Sequence, residues 1–262
     1  VPTETVYGLA ARADSAEAVA RIYAAKGRPD FNPLIVHVAG LAQAERYAEF
    51  SPEARALAEA HWPGPLTLVL PRRSDARLAE AVSAGLPTVA LRAPAHPAMR
   101  ALLEAVDFPL AAPSANRSGF ISPTCADHVL ASLDGRIDMV LDGGVTTSGV
   151  ESTIVAVRAD GSVEELRPGP LAVGMQGMGR SIEAPGQLAS HYAPGKPVRL
   201  NAVTAQADEF LIGFGPIAGS INLSPGGDLA EDDGRAVRVA GEGAHHLQAR
   251  HLERAQALAQ RG

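Results

Sequence analysis

The densest cluster of polar side chains in the sequence lies on a proline-containing loop at residues 26–37. Four groups that bind anions or polar ligands share this loop: the Lys26 ammonium, the Arg28 guanidinium, the Asn32 amide and the His37 imidazole. Ammonium and guanidinium groups form charge-assisted hydrogen bonds with phosphate oxygens, and a guanidinium can donate two of them in parallel. The loop therefore predicts a site for a polyphosphate, and a solvated basic loop is an equally weighted alternative.

Two further clusters contain small hydroxyl, amide and glycine residues. The first, at residues 113–119, includes Ser114 and Asn116, and the second, at residues 142–154, combines glycines with Ser152. Loops beyond the ends of strands in α/β folds supply such groups to ligands. A plain turn without a ligand is the alternative for the first cluster, and glycine-rich turns like the second are common. The two best-known nucleotide fingerprints, G-x-x-x-x-G-K-[ST] and G-x-G-x-x-G after a strand, do not occur.

The composition is that of a globular protein. Of the 262 residues, 46% are hydrophobic and 20% are charged, which excludes a disordered chain. The chain has 23 Lys and Arg residues against 29 Asp and Glu residues, and the resulting net charge of −6 disfavours wholesale nucleic-acid binding. The apolar runs are far shorter than the roughly 20 residues that span a bilayer, and the single cysteine excludes a disulfide framework. We therefore expect a soluble, cytoplasmic protein that does not associate with a membrane.

Predicted strands and helices alternate along the first 170 residues, which is typical of an α/β domain. Helices are predicted at residues 15–25, 41–50, 52–61, 97–106 and 124–133. Strands are predicted at residues 34–38, 66–70, 88–92, 110–113, 138–142, 152–158 and 163–167. Asp14 or Ser15 is the expected N-cap of the first helix, and Ser51 followed by a proline begins the third.

The character of the sequence changes after residue 169. Glycine and proline crowd residues 169–197, which indicates a linker. A second α/β pattern follows, with strands predicted at residues 210–214 and 220–223 and a helix at 248–261. About 65 residues are marginal for an independent core, so this unit is expected to be incomplete or supported by the first. The predicted organisation is residues 1–170 as the catalytic domain, 171–197 as the linker and 198–262 as a smaller domain.

Several motifs occur in an order that resembles the YrdC-type threonylcarbamoyl-AMP synthases. The motifs lie at residues 2–9, 26–37, 62–69, 92–94, 113–116, 151–154 and 167–169. Residues 185–194 resemble the linker motif of the longer, two-domain form of that family. The resemblance extends from residue 1 to about residue 223, whereas residues 231–262 depart from the usual second domain of the family. The implied fold is a twisted mixed sheet with flanking helices, then a linker and a smaller Rossmann-like α/β C-terminal domain.

The resemblance also implies a reaction and its participants. L-threonine and bicarbonate would form N-carboxylated threonine, which attacks the α-phosphate of ATP to give threonylcarbamoyl-AMP and pyrophosphate. The product would feed threonylcarbamoyladenosine synthesis on tRNA, so tRNA or tRNA-modification proteins are expected partners. Mg²⁺ would accompany ATP, and no metal ion held by protein ligands is expected.

The resemblance assigns the site residues as well. Threonine would be bound by Thr5, His37, Arg92, Ser114 and Ser152. ATP would be bound by Arg28, Asn32, Thr88, Asn116, Thr124, Arg167 and, from the linker, Tyr192. Attack at phosphorus depends on positioning and charge neutralisation more than on covalent catalysis. Lys26 and Arg28 are therefore the expected catalytic residues.

Two other functions are alternatives to the synthase. A double-stranded-RNA or tRNA-binding module on the same fold would need a basic domain, but residues 1–197 contain 17 basic and 21 acidic residues, so 17 − 21 gives −4. A carbamoyl-transfer domain of hydrogenase-maturation proteins would carry acylphosphatase and zinc-finger segments, and neither pattern is present.

We predict that the linker closes over the site as a lid with Tyr192 near the phosphates, a surface tether being the alternative.

Overall fold

The computed structural model describes residues 1–173, 183–185, 199, 202–207, 209–222 and 225–226. The chain divides into two compact units, one formed by Val1–Ser118 and Ser122–His191, the other by Gly119–Ile121 and Tyr192–Gly262. The domain boundaries predicted at residues 170 and 197 remain predictions. No helix in the described ranges combines the length and hydropathy that crossing a membrane requires.

The first unit is built on a seven-stranded mixed sheet with helices beside it. Its elements are β1 (Ala11–Arg12), α1 (Ala16–Lys26), β2 (Ile35–His37), α2 (Leu41–Ala44), α3 (Pro52–His61), β3 (Leu66–Pro71), α4 (Glu80–Ser83), β4 (Thr88–Arg92), α5 (Pro97–Ala105), β5 (Leu110–Ala111), α6 (Ala126–Leu133), β6 (Thr153–Val157) and β7 (Val163–Arg167). The strand order is β1-β5-β2-β4-β3-β6-β7. This confirms the predicted mixed α/β sheet with flanking helices.

Strand direction brings distant parts of the chain to one edge of the sheet. Strands β2 and β4 are parallel, and their last residues, His37 and Arg92, are paired. Strand β3 runs antiparallel to β4 and parallel to β6, with Leu66 opposite Thr153. The carboxyl ends of β2 and β4 therefore lie beside the amino ends of β3 and β6. The residues just before β6, including Ser152, reach the same edge.

The end of α1 carries the lysine of the polar loop. The helix begins at Ser15, whose Oγ accepts a hydrogen bond from the main-chain N–H of Ala18 at 3.2 Å, which confirms one of the two predicted caps. It ends at Gly27, which has a φ of 58°. Glycine adopts this left-handed conformation without steric cost, so the chain turns sharply after Lys26. The last helical turn thus holds the lysine against the domain, where it is buried.

The apolar core lies between the sheet and its helices. Its largest cluster joins Val36, Leu68, Leu91 and Val155 from four strands with Val19 from α1. The strands of the sheet centre are buried along almost their whole length. Such near-continuous apolar strands are expected where both faces are covered. The core therefore holds the strand ends that carry the polar residues in fixed register.

One predicted helix of the first unit is too long, and one predicted strand is wrong. The helix predicted at residues 41–50 ends at Ala44, because Ala48 pairs with Arg72 in an isolated bridge and Glu49 N–H donates to the main-chain oxygen of Pro71 at 2.9 Å. The strand predicted at residues 138–142 does not form. The sequence also gave no sign of the short elements β1 and α4.

The second unit contains a short parallel pair, β8 (Ile212–Gly213) and β9 (Ile221–Asn222). Both lie inside the predicted strands at residues 210–214 and 220–223, although they are shorter. A side chain on Gly213 would place its Cβ 2.0 Å from the main-chain oxygen of Ile217, so this tight turn requires glycine. A Rossmann-like arrangement stays a prediction, and the helix predicted at residues 248–261 lies outside the described residues.

Candidate active site

Arg92 lies at the sheet edge with its guanidinium held by two segments of the chain. It donates to Thr5 Oγ1 at 2.8 Å and to Glu4 Oε1 at 2.5 Å from its two Nη atoms, and to the main-chain oxygen of Gly64 from Nε at 3.2 Å. Glu4 is itself fixed, because its Oε2 accepts the main-chain N–H of Ala95 at 3.0 Å. Each Nη atom carries a second N–H beyond these bonds, and such a pair matches the two oxygens of a carboxylate.

His37 lies beside Arg92 as a neutral imidazole. Its side chain is buried, and within the described residues its Nδ1 has no hydrogen-bond partner. Burial, aided by the nearby Arg92 cation, lowers the pKa of His37 to about 3. The ring is therefore uncharged near neutral pH and can offer a ligand a hydrogen bond without a charge.

Lys26 joins the end of α1 to the loop at residues 113–119. Its Nζ donates to the main-chain oxygens of Ser114 and Asn116, each at 2.5 Å, and the N–H of Ser118 donates to the Lys26 oxygen at 2.9 Å. Burial lowers the pKa of Lys26 to about 7, and the Arg28 cation acts in the same direction. Two of the clusters found in the sequence thus form one structural unit.

Arg28 and Asn32 shape the loop that follows α1. Arg28 donates from Nε to the main-chain oxygen of Asn32 at 3.1 Å and from Nη2 to that of Pro33 at 2.8 Å. The arginine therefore closes the loop on itself. The side-chain amide of Asn32 is buried, and in the described part of the chain neither its oxygen nor its nitrogen has a partner.

Arg167, at the end of β7, binds the residues before β6. Its Nε and Nη2 donate to the main-chain oxygen of Ser152 at 3.0 and 2.9 Å, and Nη2 also donates to Ser152 Oγ at 2.9 Å. Its Nη1 donates to the Glu151 carboxylate and, over 3.4 Å, to the main-chain oxygen of Pro185. These contacts use all five N–H groups of the guanidinium. Ser152 Oγ lies 2.8 Å from Thr67 Oγ1, which fixes the hydroxyl from a second side.

The site has more buried positive charge than negative charge. Three buried guanidinium groups (Arg28, Arg92 and Arg167) contribute to it, together with Lys26, which is about half protonated at pH 7, against two carboxylates (Glu4 and Glu151). Glu151 raises the pKa of both Lys26 and Arg92, while Arg167 lowers that of Arg92, so these groups lie within electrostatic reach of one another. Unbalanced buried charge is unfavourable unless a counter-charge binds. The arrangement therefore favours an anionic ligand.

Three more residues were assigned to the nucleotide: Thr88, Thr124 and Tyr192. Thr88 is half-buried at the other end of β4 from Arg92, roughly 13 Å along the strand. Thr124 is buried, and its Oγ1 lies 3.2 Å from His128 Nδ1. Tyr192 and the predicted lid lie outside the described residues. The assignments of all three remain predictions.

Sequence reasoning missed residues that orient the site. Glu4 holds Arg92, and Glu151 accepts hydrogen bonds from Arg167 and, at 2.6 Å, from Ser122 Oγ. Glu4 and Glu151 each immediately precede an assigned residue, Thr5 or Ser152. This adjacency of an acidic residue to an assigned hydroxyl residue was the signal in the sequence that could have identified Glu4 and Glu151.

Comparison with known proteins shows the family of the chain. The sequence profile of the Sua5/YciO/YrdC family, described as telomere recombination, matches residues 1–169. The chain belongs to the Sua5/YciO/YrdC family. The threonylcarbamoyl-AMP synthase of Bacillus subtilis is 47% identical over 214 residues, and that of Pyrococcus abyssi is 45% identical over 212. The matches cover 76% and 75% of this chain but only 61% and 62% of those relatives.

Solved structures show the same fold. The crystal structure of P. abyssi Sua5 complexed with L-threonine superposes with a TM-score of 0.63 at 49% identity, over 66% of this chain and 50% of that one. E. coli YciO, at 22% identity, has a TM-score of 0.59 over 66% of this chain and 82% of its own, and it supports the fold alone. The resemblance seen in the sequence is thus confirmed at the level of family and fold.

Proposed function

We propose that this protein is an L-threonylcarbamoyladenylate synthase, which makes threonylcarbamoyl-AMP and pyrophosphate from L-threonine, bicarbonate and ATP. The observation that carries the proposal is the buried excess of cations around Arg92 and Lys26. L-threonine carries a carboxylate and ATP a polyphosphate, so both would supply the missing negative charge. Relatives named threonylcarbamoyl-AMP synthase, and the L-threonine in the P. abyssi Sua5 complex, support the choice of substrates.

Threonine would bind at the sheet edge. The remaining Nη N–H groups of Arg92 would take its carboxylate, with Thr5 fixing the guanidinium and contacting the ligand. Ser114 and Ser152 would bind its hydroxyl and nitrogen through side-chain or main-chain oxygens. His37 would donate or accept a hydrogen bond as an uncharged imidazole. Without a positive charge, its ring would not compete with Arg92 for the carboxylate.

ATP would bind next to the loop that follows α1. Arg28, Asn32 and Asn116 would contact it there, and Lys26 would add positive charge beside them. For Thr88, Thr124, Arg167 and Tyr192, a role toward ATP rests on the resemblance alone. Mg²⁺ would enter with ATP as part of that substrate. In the described ranges no three His, Cys, Asp or Glu side chains are grouped to hold a metal ion.

The reaction needs no nucleophile from the protein. Bicarbonate and the threonine amine lose water and form a carbamate, one of whose oxygens attacks the α-phosphate and expels pyrophosphate. Charge builds up on the phosphate oxygens as the leaving group departs, and fixed cations stabilise that charge without reorganising. We assign this role to Lys26 and Arg28. The product would be passed on to tRNA modification, so tRNA or its modifying proteins are the proposed partners and the cytoplasm the proposed location.

Pyrophosphate release tests the proposal. We expect release from ATP when L-threonine and bicarbonate are both present, and only background release when either is omitted. Arg92→Gln should lose threonine-dependent release, while Arg117→Gln, an exposed neighbour of the site, should keep it. Equal release without threonine would refute the proposal, and a salt-sensitive affinity for duplex RNA without release would favour the RNA-binding alternative.

A further inference from the structure

Tyr7 is a fully buried tyrosine that the proposed reaction does not use. Its hydroxyl donates a hydrogen bond to the main-chain oxygen of Gly144 at 2.7 Å and accepts one from the main-chain N–H of Gly143 at 3.0 Å. The same hydroxyl lies 3.1 Å from Asp142 Oδ1. Tyr7 therefore fixes the glycine turn at residues 142–144, which belongs to one of the clusters found in the sequence.

The glycine turn is closely packed and uses its own N–H groups. The N–H of Gly144 donates to Asp142 Oδ1 at 2.9 Å, as that of Gly143 does to the tyrosine. A Cβ on Gly143 would lie 2.7 Å from Pro2 Cγ and 2.8 Å from His96 Cε1, so the main chain passes close to both residues. Because both glycine N–H groups are bound within the protein, the turn does not present them to an anion. What the turn can do is direct the residues that follow it.

The residues after the turn connect the two proposed substrate subsites. The N–H of Thr146 donates to the main-chain oxygen of Thr124 at 2.9 Å, and the resemblance assigns Thr124 to ATP. The N–H of Ser148 donates to the main-chain oxygen of Glu4 at 2.8 Å. Glu4 in turn holds Arg92, which would bind the carboxylate of threonine. One short segment thus contacts a residue of each subsite.

We propose that Tyr7 is a positioning residue, whose hydroxyl fixes the glycine turn so that the segment after it keeps the threonine and ATP subsites in place relative to each other. This inference rests on the proposed function. Other residues make the direct contacts to each substrate, so each substrate should still bind when the hydroxyl is removed. The placement of the carbamate oxygen against the α-phosphate should suffer, and the rate of attack is steeply sensitive to that placement.

Two substitutions in the turn test this role. Tyr7→Phe removes the hydroxyl and keeps the ring in the core. We expect kcat for threonine-dependent pyrophosphate release to fall about tenfold, while the calorimetric Kd values of L-threonine and ATP, each measured alone, change less than about twofold. Asp142→Ala removes an exposed side chain from the same turn and should lower kcat severalfold. Because both changes loosen one turn, the double variant should be little slower than Tyr7→Phe.

Matched controls make the same changes away from the site. Tyr47→Phe alters another buried tyrosine, whose main-chain oxygen accepts the N–H of Arg73 just beyond the far end of β3. Asp134→Ala removes an exposed aspartate whose Oδ1 accepts the N–H of Gly135 at 3.0 Å, in the turn that follows α6. Both controls should keep the kcat and Kd values of the wild type. Thermal unfolding and the calorimetric stoichiometry give the fraction of each protein that is folded and able to bind, so that kcat is compared per binding site.

Each result has a distinct meaning. A loss of kcat at both positions, with nearly unchanged Kd values and a non-additive double variant, supports the inference. Wild-type kcat in Tyr7→Phe or multiplied losses in the double variant overturn it. Kd values that rise as much as kcat falls, or a loss explained by fewer binding sites, also overturn it, because the tyrosine would then only support the fold.

Two further outcomes are decided by the other proteins in the set. If Tyr7→Phe does not fold, Asp142→Ala decides: a selective loss of kcat supports the inference, and wild-type kcat overturns it. A wild-type protein that releases no pyrophosphate in response to L-threonine and bicarbonate overturns the proposed function, and this inference with it.

Discussion

Replacing Lys26 by methionine should remove a specific pH dependence from the protein's stability. The folded protein holds the pKa of Lys26 at about 7, because its ammonium is buried and lies near Arg28, while an unfolded chain would have the ordinary value of 10.5. Between these values the unfolded chain binds a proton that the folded protein does not. The free energy of unfolding therefore rises with pH over this interval.

The size of the effect follows from proton binding. From pH 7 to pH 9 the unfolded lysine stays protonated, while the folded one goes from about half protonated to almost none. At about 1.4 kcal/mol per proton and pH unit, Lys26 makes the protein about 2 kcal/mol more stable at pH 9 than at pH 7. The free-energy cost of burying Lys26 is largest below pH 7 and no longer changes above the pKa of 10.5 that the lysine has in the unfolded chain. Lys26→Met should lack this gain.

Urea unfolding of the ligand-free protein at pH 7, 8 and 9 measures the difference. Comparing wild type with Lys26→Met cancels the contributions of all other titrating groups, and also the constant cost of leaving the Ser114 and Asn116 oxygens without the ammonium. Arg117→Met, an exposed site on the adjoining loop, is the matched control and should behave like wild type. Identical pH dependence in wild type and Lys26→Met would refute the burial of a titrating lysine.

Three further substitutions probe the site and its scaffold. Arg28→Ala should lower kcat/KM for ATP about tenfold or more, since a charge-assisted hydrogen bond is lost, whereas Arg117→Ala should not; equal values would place ATP elsewhere. Gly169→Ala should destabilise the protein by more than about 2 kcal/mol in urea unfolding, because its Cβ would lie 2.3 Å from a main-chain nitrogen of β6. Gly40→Ala, with open space around it, is its control, and equal stabilities would contradict the packing. Ser51→Ala should cost about 1 kcal/mol in the same assay through loss of the α3 cap, and no change would show that the cap is dispensable.

Elements with strong local signals were predictable from the sequence. The caps Ser15 and Ser51 and the apolar strands in the sheet centre appear where spacing and turn residues placed them. The helix predicted at residues 41–50 ends early, at Ala44, because a non-local bridge between Ala48 and Arg72 outweighs helical spacing. The two-residue strand β1 depends on pairing with β5, about a hundred residues away, which no local pattern reveals.

The residue types of the site were predictable from the sequence, but their arrangement, burial and electrostatic interactions were not. Motifs identified the cations and hydroxyls, because a phosphate or carboxylate requires them. The sheet register that places His37 beside Arg92 is a property of the fold, and so is the burial that lowers the pKa of Lys26. The only signal for Glu151 was its position directly before Ser152, whereas its contact with Arg167, sixteen residues away, is a property of the fold.

The central claim is that bicarbonate carbon is joined to threonine and then to AMP in this site. Mass spectrometry of the products formed from ATP, L-threonine and ¹³C-labelled bicarbonate tests it directly. We expect an adduct that contains AMP, threonine and one labelled carbon, appearing together with pyrophosphate and absent when Arg92→Gln replaces the wild-type protein. An adduct of threonine and AMP without the labelled carbon, or pyrophosphate release without any adduct, would contradict the claim.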